Sequence, residues 1–220
     1  MTKPLVHSLS EEIVYDNLVV PDGTFCTIRS LSGNAHVGRR AKLVVKGACY
    51  GNVDVDEYGS VLCESVSGNV RACNYTTVVV VGSCYRDVVI GDGGSFECQS
   101  MYGDYLYAGR GTILVCKDSC YGNVSVGVGG SFRCKSLFGD IVIGKDGFWE
   151  CKESMSGGIK NEGGRYSIAG SFYGDEASPV SRNEIICPEC GTSNAEDASD
   201  CVACGRALHS MKKVARRQSN

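Results

Sequence analysis

Proline, histidine and tryptophan are scarce in this chain, at 4, 3 and 1 of 220 residues. The three histidines, at 7, 36 and 209, form no constellation that could act as a general base on a substrate, and each reads as a surface residue. No apolar run approaches the ~18 residues that a bilayer-spanning helix needs, and the opening MTKPLVHSLSEEIVYDN lacks the apolar stretch of a secretory leader. A cytoplasmic location is therefore expected, where glutathione keeps thiols reduced. Charge of one sign is also missing: a formal net charge of −3 points to no polyanionic partner. What the chain does have is 29 glycines and 14 cysteines in a composition that is otherwise ordinary, with 43% hydrophobic and 21% charged residues.

The glycines fall in a rhythm. CYGNVDV at 49–55 returns as CYGNVSV at 120–126, with CYRDVVI at 84–90 between them. Marking each Gly-Asn, Gly-Asp or equivalent pair by its first residue gives Gly33, Gly51, Gly68, Arg86, Gly103, Gly122, Gly139, Gly157 and Gly174, with gaps of 17 to 19 residues. A degenerate further copy lies around Asp16. Two residues before the marks stand apolar side chains without exception, from Leu31 and Cys49 to Met155 and Phe172. Two and four residues after them come pairs such as Val53 with Val55, Val88 with Ile90, and Tyr105 with Tyr107. A third set precedes the marks: Leu43 with Val45, Val61 with Cys63, Val79 with Val81, Phe96 with Cys98, Leu114 with Cys116, Phe132 with Cys134, and Trp149 with Cys151.

Alternation at a period of two is strand geometry, so each unit carries three short strands joined at Gly-rich corners. A unit this short fits one coil of a β-helix rather than a propeller blade or a leucine-rich repeat. The fold expected is all-β: a single-stranded triangular parallel β-helix of about nine coils of 17–18 residues, with a small C-terminal zinc ribbon. Coils stacked at about 4.8 Å make a rod of roughly 40 Å. The glycines are expected to supply turns with φ > 0, and the Asn or Asp beside them to bond their own backbone or to stack in a ladder.

Ten cysteines lie in the repeat region. Cys49, Cys84 and Cys120 share a column but skip a coil, about 9.6 Å apart and beyond the reach of a disulfide. Cys98, Cys116, Cys134 and Cys151 stand on adjacent coils, yet parallel Cβ atoms would be held farther apart than a bridge prefers. With neither histidine partners nor paired spacing for a metal, they are read as small hydrophobes filling a narrow interior. GDIVIGK at 139–145 mimics a phosphate-binding loop, but Asp146 stands where Ser or Thr should hold magnesium and both glycines belong to the repeat. No nucleotide site and no catalytic centre is expected.

The rhythm stops after Gly174. The chain divides into an N-terminal tail (1–13), the β-helix (14–176), a linker (177–186), a zinc ribbon (187–208) and a basic tail (209–220). CPEC at 187–190 and CVAC at 201–204, each followed by glycine, form two C-x2-C knuckles. Cys187, Cys190, Cys201 and Cys204 together would close a tetrahedral structural zinc site, and the ten-residue spacer between them is too short to fold without the metal. This segment resembles the short zinc-ribbon modules appended to many prokaryotic proteins. Lys212, Lys213, Arg216 and Arg217 stand in the tail without an acid, a composition suited to anionic lipid or nucleic acid, or simply to a solvated end.

The phrases RDVVIGDGGSF (86–96), GNVSVGVGGSF (122–132) and GDIVIGKDGF (139–148), spread over about 14–176, resemble the bactofilins, the polymer-forming cytoskeletal proteins of bacteria. The resemblance implies a right-handed triangular β-helix, end-to-end assembly into filaments without nucleotide, and a scaffold that recruits cell-envelope or morphogenesis proteins. A cysteine-rich interior and an appended zinc module depart from the usual bactofilin pattern. Phe172 and Tyr173, in the last coil, are the candidate residues of the polymer contact, the alternative being that they cap their own core. Two other readings are a left-handed hexapeptide-repeat acyltransferase, which would need an apolar residue every six positions and a placed histidine, and a β-helix that binds partners without polymerising.

Overall fold

A computed structural model describes residues 6–8, 13–174, 185–186 and 193–194. The chain divides into two compact units, Met1–Ala177 and Ser178–Asn220. The described residues are all-β, with no helix among them.

Unit one is a β-solenoid of three faces. The first face runs through ten parallel strands, from Val6–Ser8 and Phe25–Ile28 to Phe148–Ser156 and Arg165–Ile168. A second face begins with the two-residue strands Ile13–Val14, Ser30–Leu31, Ala48–Cys49 and Ser65–Val66 and ends at Ser171–Tyr173. The third carries nine strands, from Leu18–Val20 to Ile159–Asn161. From Thr77–Cys84 to Phe148–Ser156 the first two faces are one continuous strand, bent at the corner by a register shift.

Every coil places like on like. Leu43 pairs in register with Val61, then follow Val78, Phe96, Leu114, Phe132 and Trp149, all buried. Burying a side chain of this size contributes about 1.5–3 kcal/mol, so one continuous column supplies much of the rod's cohesion. The residues two before the marks, from Leu31 to Met155, are fully buried, and Phe172 packs half-buried at the end.

Two columns differ from the sequence reading. Val78 and Val80 point inward where Val79 and Val81 are expected, and Val81 is 63% exposed. The four-valine run 78–81 has no alternation to read, and the residue that distinguishes a long coil from a short one sits between Val80 and Ser83. On the third face, Leu106 and Ala108 are buried while Tyr105 and Tyr107 face solvent. The 19-residue gap from Gly103 to Gly122 puts its extra residue just after Gly103 and shifts the alternation by one.

The glycines of the marked corner also differ from expectation. Only Gly122, Gly139 and Gly157 among them have φ in the left-handed region. Where this corner carries glycine, what requires it is space: a Cβ at Gly51 would overlap the Gly33 carbonyl, and one at Gly103 the Arg86 carbonyl. Left-handed backbone belongs to a second corner, at Gly23, Arg40, Tyr58, Tyr75, Gly93, Gly111, Gly129, Asp146 and Gly163.

The Asn and Asp side chains stack as a ladder. Asn17 Oδ1 accepts the Asn34 N–H, Asn34 that of Asn52, and Asn52 that of Asn69, at 2.8 to 2.9 Å. Asn123 and Asp140 do the same for the coils above them. Each link holds a corner N–H that would otherwise lack a partner.

Candidate functional site

The rod's two ends are unlike its middle. At the C-terminal end Ile159–Asn161, Arg165–Ile168 and Ser171–Tyr173 each pair on one side only among the described residues. Tyr166, Ile168 and Phe172 are half-buried against the core there, and Tyr173 is 67% exposed. At the opposite end Ile13–Val14 and Leu18–Val20 are likewise one-sided, with Val14 and Leu18 half-buried.

The interior carries the thiols. All ten cysteines of the described repeat are free; nine are buried and Cys73 is exposed. Cys98, Cys116, Cys134 and Cys151 pair in register as expected. Comparison of positions within columns could not show that two columns converge at one corner. There thiol–thiol hydrogen bonds join Cys49 to Cys63, Cys116 to both Cys98 and Cys120, and Cys134 to Cys151. These bonds, and burial after them, hold the Cys63, Cys98, Cys120 and Cys134 thiols well above the ordinary value. Cys116, which takes two of these bonds, and Cys151, which takes one, are held below it. Their sulfurs also lie 3.2 and 3.1 Å from the Ser119 and Ser154 carbonyls. Burial pushes Cys84 up to about 12. Among the described residues no group of three His, Cys, Asp or Glu is placed to hold a metal ion.

The loop that mimics a phosphate site has its amides occupied: Gly144 N–H donates to the Val126 carbonyl and Asp146 N–H to that of Gly163, at 2.8 and 3.1 Å. His36 lies on the surface with its Nε2 3.3 Å from Asp56. Neither arrangement offers a reaction centre.

The outer surface carries rings that sequence columns of apolar residues did not reveal. Tyr58 and Tyr75 stack at 5.2 Å with Arg40 over Tyr58, and Tyr85, Tyr102, Tyr121 and Phe138 form a second stack. For the second stack the signal was present in the residue just before the marks, where tyrosine recurs.

Cys187, Cys190, Cys201 and Cys204 lie outside the described residues, as do Lys212, Lys213, Arg216 and Arg217. In the second unit, Ile185–Ile186 pairs antiparallel with Ser193–Asn194, a hairpin whose strands bracket CPEC in sequence. Comparison of the chain with family models, with curated proteins and with solved structures gives no match.

Proposed function

We propose that this protein is a scaffold of the bactofilin kind, which stacks end to end into filaments without nucleotide and recruits envelope or morphogenesis partners. The observation that carries the proposal is the pair of ends that are one-sided among the described residues. A strand with one free edge presents a row of unpaired N–H and C=O groups to any further strand. Here each end adds half-buried apolar side chains, Val14 and Leu18 at one and Tyr166, Ile168 and Phe172 at the other. Stacked repeats of this type need polar caps to stay apart. Joining the ends of two copies would continue the coil spacing and finish the burial of both rows. Phe172 and Tyr173 are the proposed C-terminal contact.

In this reading Cys187, Cys190, Cys201 and Cys204 hold one structural zinc, which the bracketing hairpin supports, and the module serves as the recruiting element. The four cations of the tail would bring a cytoplasmic filament to an anionic membrane surface.

Sedimentation of the full chain over a range of concentrations, without nucleotide, tests assembly. Tyr173→Glu, at an exposed position, should move material from pellet to supernatant by about tenfold or more while leaving the circular dichroism unchanged. Equal pelleting of both proteins sinks the assignment of that end. Metal analysis should find one zinc per chain, absent from Cys190→Ser.

A further inference from the structure

A column runs along the outside of the rod, one residue before each mark: Ser32, Tyr50, Ser67, Tyr85, Tyr102, Tyr121, Phe138, Ser156 and Tyr173, with rings at six of the nine positions. From Tyr85 to Phe138 four rings stack with centroids 5.6, 5.2 and 4.9 Å apart and planes within 14°. Phe138 and Tyr85 end the stack. Below Tyr85, register places Ser67 one coil down and Tyr50 two coils down. A rung is missing at Ser67, and the face of Tyr85 that looks toward it carries no ring.

Three other regularities fail at the same level. The glycine of the marked corner is replaced by Arg86. The ladder of side-chain acceptors skips Asn69 and Asp104: the Asp87 N–H is not held by the Asn69 carboxamide as the Asn69 N–H is held by Asn52, and Asn123 N–H goes to the Asp104 carbonyl. Neither side chain, nor that of Arg86, bonds to another described residue. Finally, a cleft of about 340 Å³ opens there, with Ser67, Asn69, Tyr85, Arg86, Asp87 and Asp104 in its wall. The other gap between two rings, Ser156 between Phe138 and Tyr173, shows none of this. Gly157 is retained, and Asp140 Oδ1 accepts the Gly158 N–H at 2.7 Å.

We propose that the Ser67 cleft binds a free aromatic α-amino acid, whose ring takes the missing rung on Tyr85. Its carboxylate meets Arg86, its ammonium meets Asp104, and the Asn69 carboxamide offers a donor and an acceptor to a polar ring edge such as an indole N–H. A zwitterion suits a wall that carries an unpaired cation beside an unpaired anion. The solenoid already fills a rung of its other ring stack with a planar group that is not an aromatic ring: the guanidinium of Arg40 lies 5.5 Å from the Tyr58 centroid. Stacking contributes about 0.5–1.5 kcal/mol beyond area burial, and exposed charge pairs add about 1 kcal/mol at most. Affinity is therefore expected near millimolar.

Saturation-transfer NMR of the full chain with L-tryptophan tests the site, with L-leucine and tryptamine as further probes. Tryptophan should bind and leucine should not. Ser67→Tyr fills the rung and should abolish binding without lowering the melting temperature, whereas Ser156→Tyr should change nothing. Arg86→Gly restores the residue of the other coils; it should weaken tryptophan by up to about fivefold, the equivalent of about 1 kcal/mol, and leave tryptamine unaffected. Tryptophan binding undiminished in Ser67→Tyr and Arg86→Gly, equal binding of leucine, or no binding at all to the wild-type chain overturns the proposal. Because Arg86→Gly requires no new packing, the test stands even where Ser67→Tyr fails to fold. None of these readouts depends on filament formation.

Discussion

Two corners of the same coil are rich in glycine for different reasons. At the marked corner, each glycine lies against the backbone of the coil beneath, and a Cβ at Gly68 or Gly103 would overlap that backbone. At the second corner the turn needs a left-handed residue, but Gly23, Gly111 and Gly129 have open space around the position of a Cβ. The first corner is restricted by contact between coils, the second by conformation within one coil. That is why the second tolerates Arg40, Tyr58, Tyr75 and Asp146 at φ of 53° to 61°. A strained φ costs a local 1–2 kcal/mol or so, whereas a clash between backbones must separate two coils.

The largest effect expected from this contrast is Gly103→Ala, which drives a methyl into the Arg86 carbonyl and should destabilise the rod by about 3 kcal/mol in chemical denaturation. Gly111→Ala meets nothing and should lose only about 1 kcal/mol. Equal losses at the two positions would erase the distinction. Asn52→Ala removes the acceptor of the Asn69 N–H and should also lose about 1 kcal/mol, read as faster hydrogen exchange at that amide. The thiol inside the marked corner adds a pH dependence. In the fold the Cys84 thiol is held at about 12 against an ordinary 9.0. Its contribution is complete below pH 9.0 and is lost as pH rises toward about 12, because only the unfolded thiol ionises in that window. Cys84→Val should therefore flatten the fall in melting temperature between pH about 9 and about 11. The smallest change belongs to Tyr75→Gly, where relief of the left-handed strain and loss of a stack worth about 0.5–1.5 kcal/mol nearly cancel. A large loss there would mean that the Tyr58–Tyr75 pair carries more than its stacking.

Much of the solenoid is legible in one sequence because stacking makes each column repeat. Leu31, Cys49, Val66 and their successors are buried without exception up to Met155. Legibility fails where alternation is absent or displaced. Val78–Val81 offers apolar residues to both sides, and only the bend between Val80 and Ser83 decides which pair turns inward. At Tyr105, one extra residue exchanges inside for outside. The reason for glycine was not legible either, since close approach and positive φ leave the same letter. Of the candidate sites, Phe172 and Tyr173 fall in the last described strand of the rod. The cleft at Ser67 is invisible to motif reading, because it is a gap in a column of rings.

Electron microscopy of the purified full chain, without nucleotide, tests the scaffold reading most directly. Filaments one rod wide, with an axial repeat of roughly 45–50 Å set by coils stacked at about 4.8 Å, are the predicted result. Discrete particles at every concentration, or assemblies joined side to side with the ends left open, would contradict it.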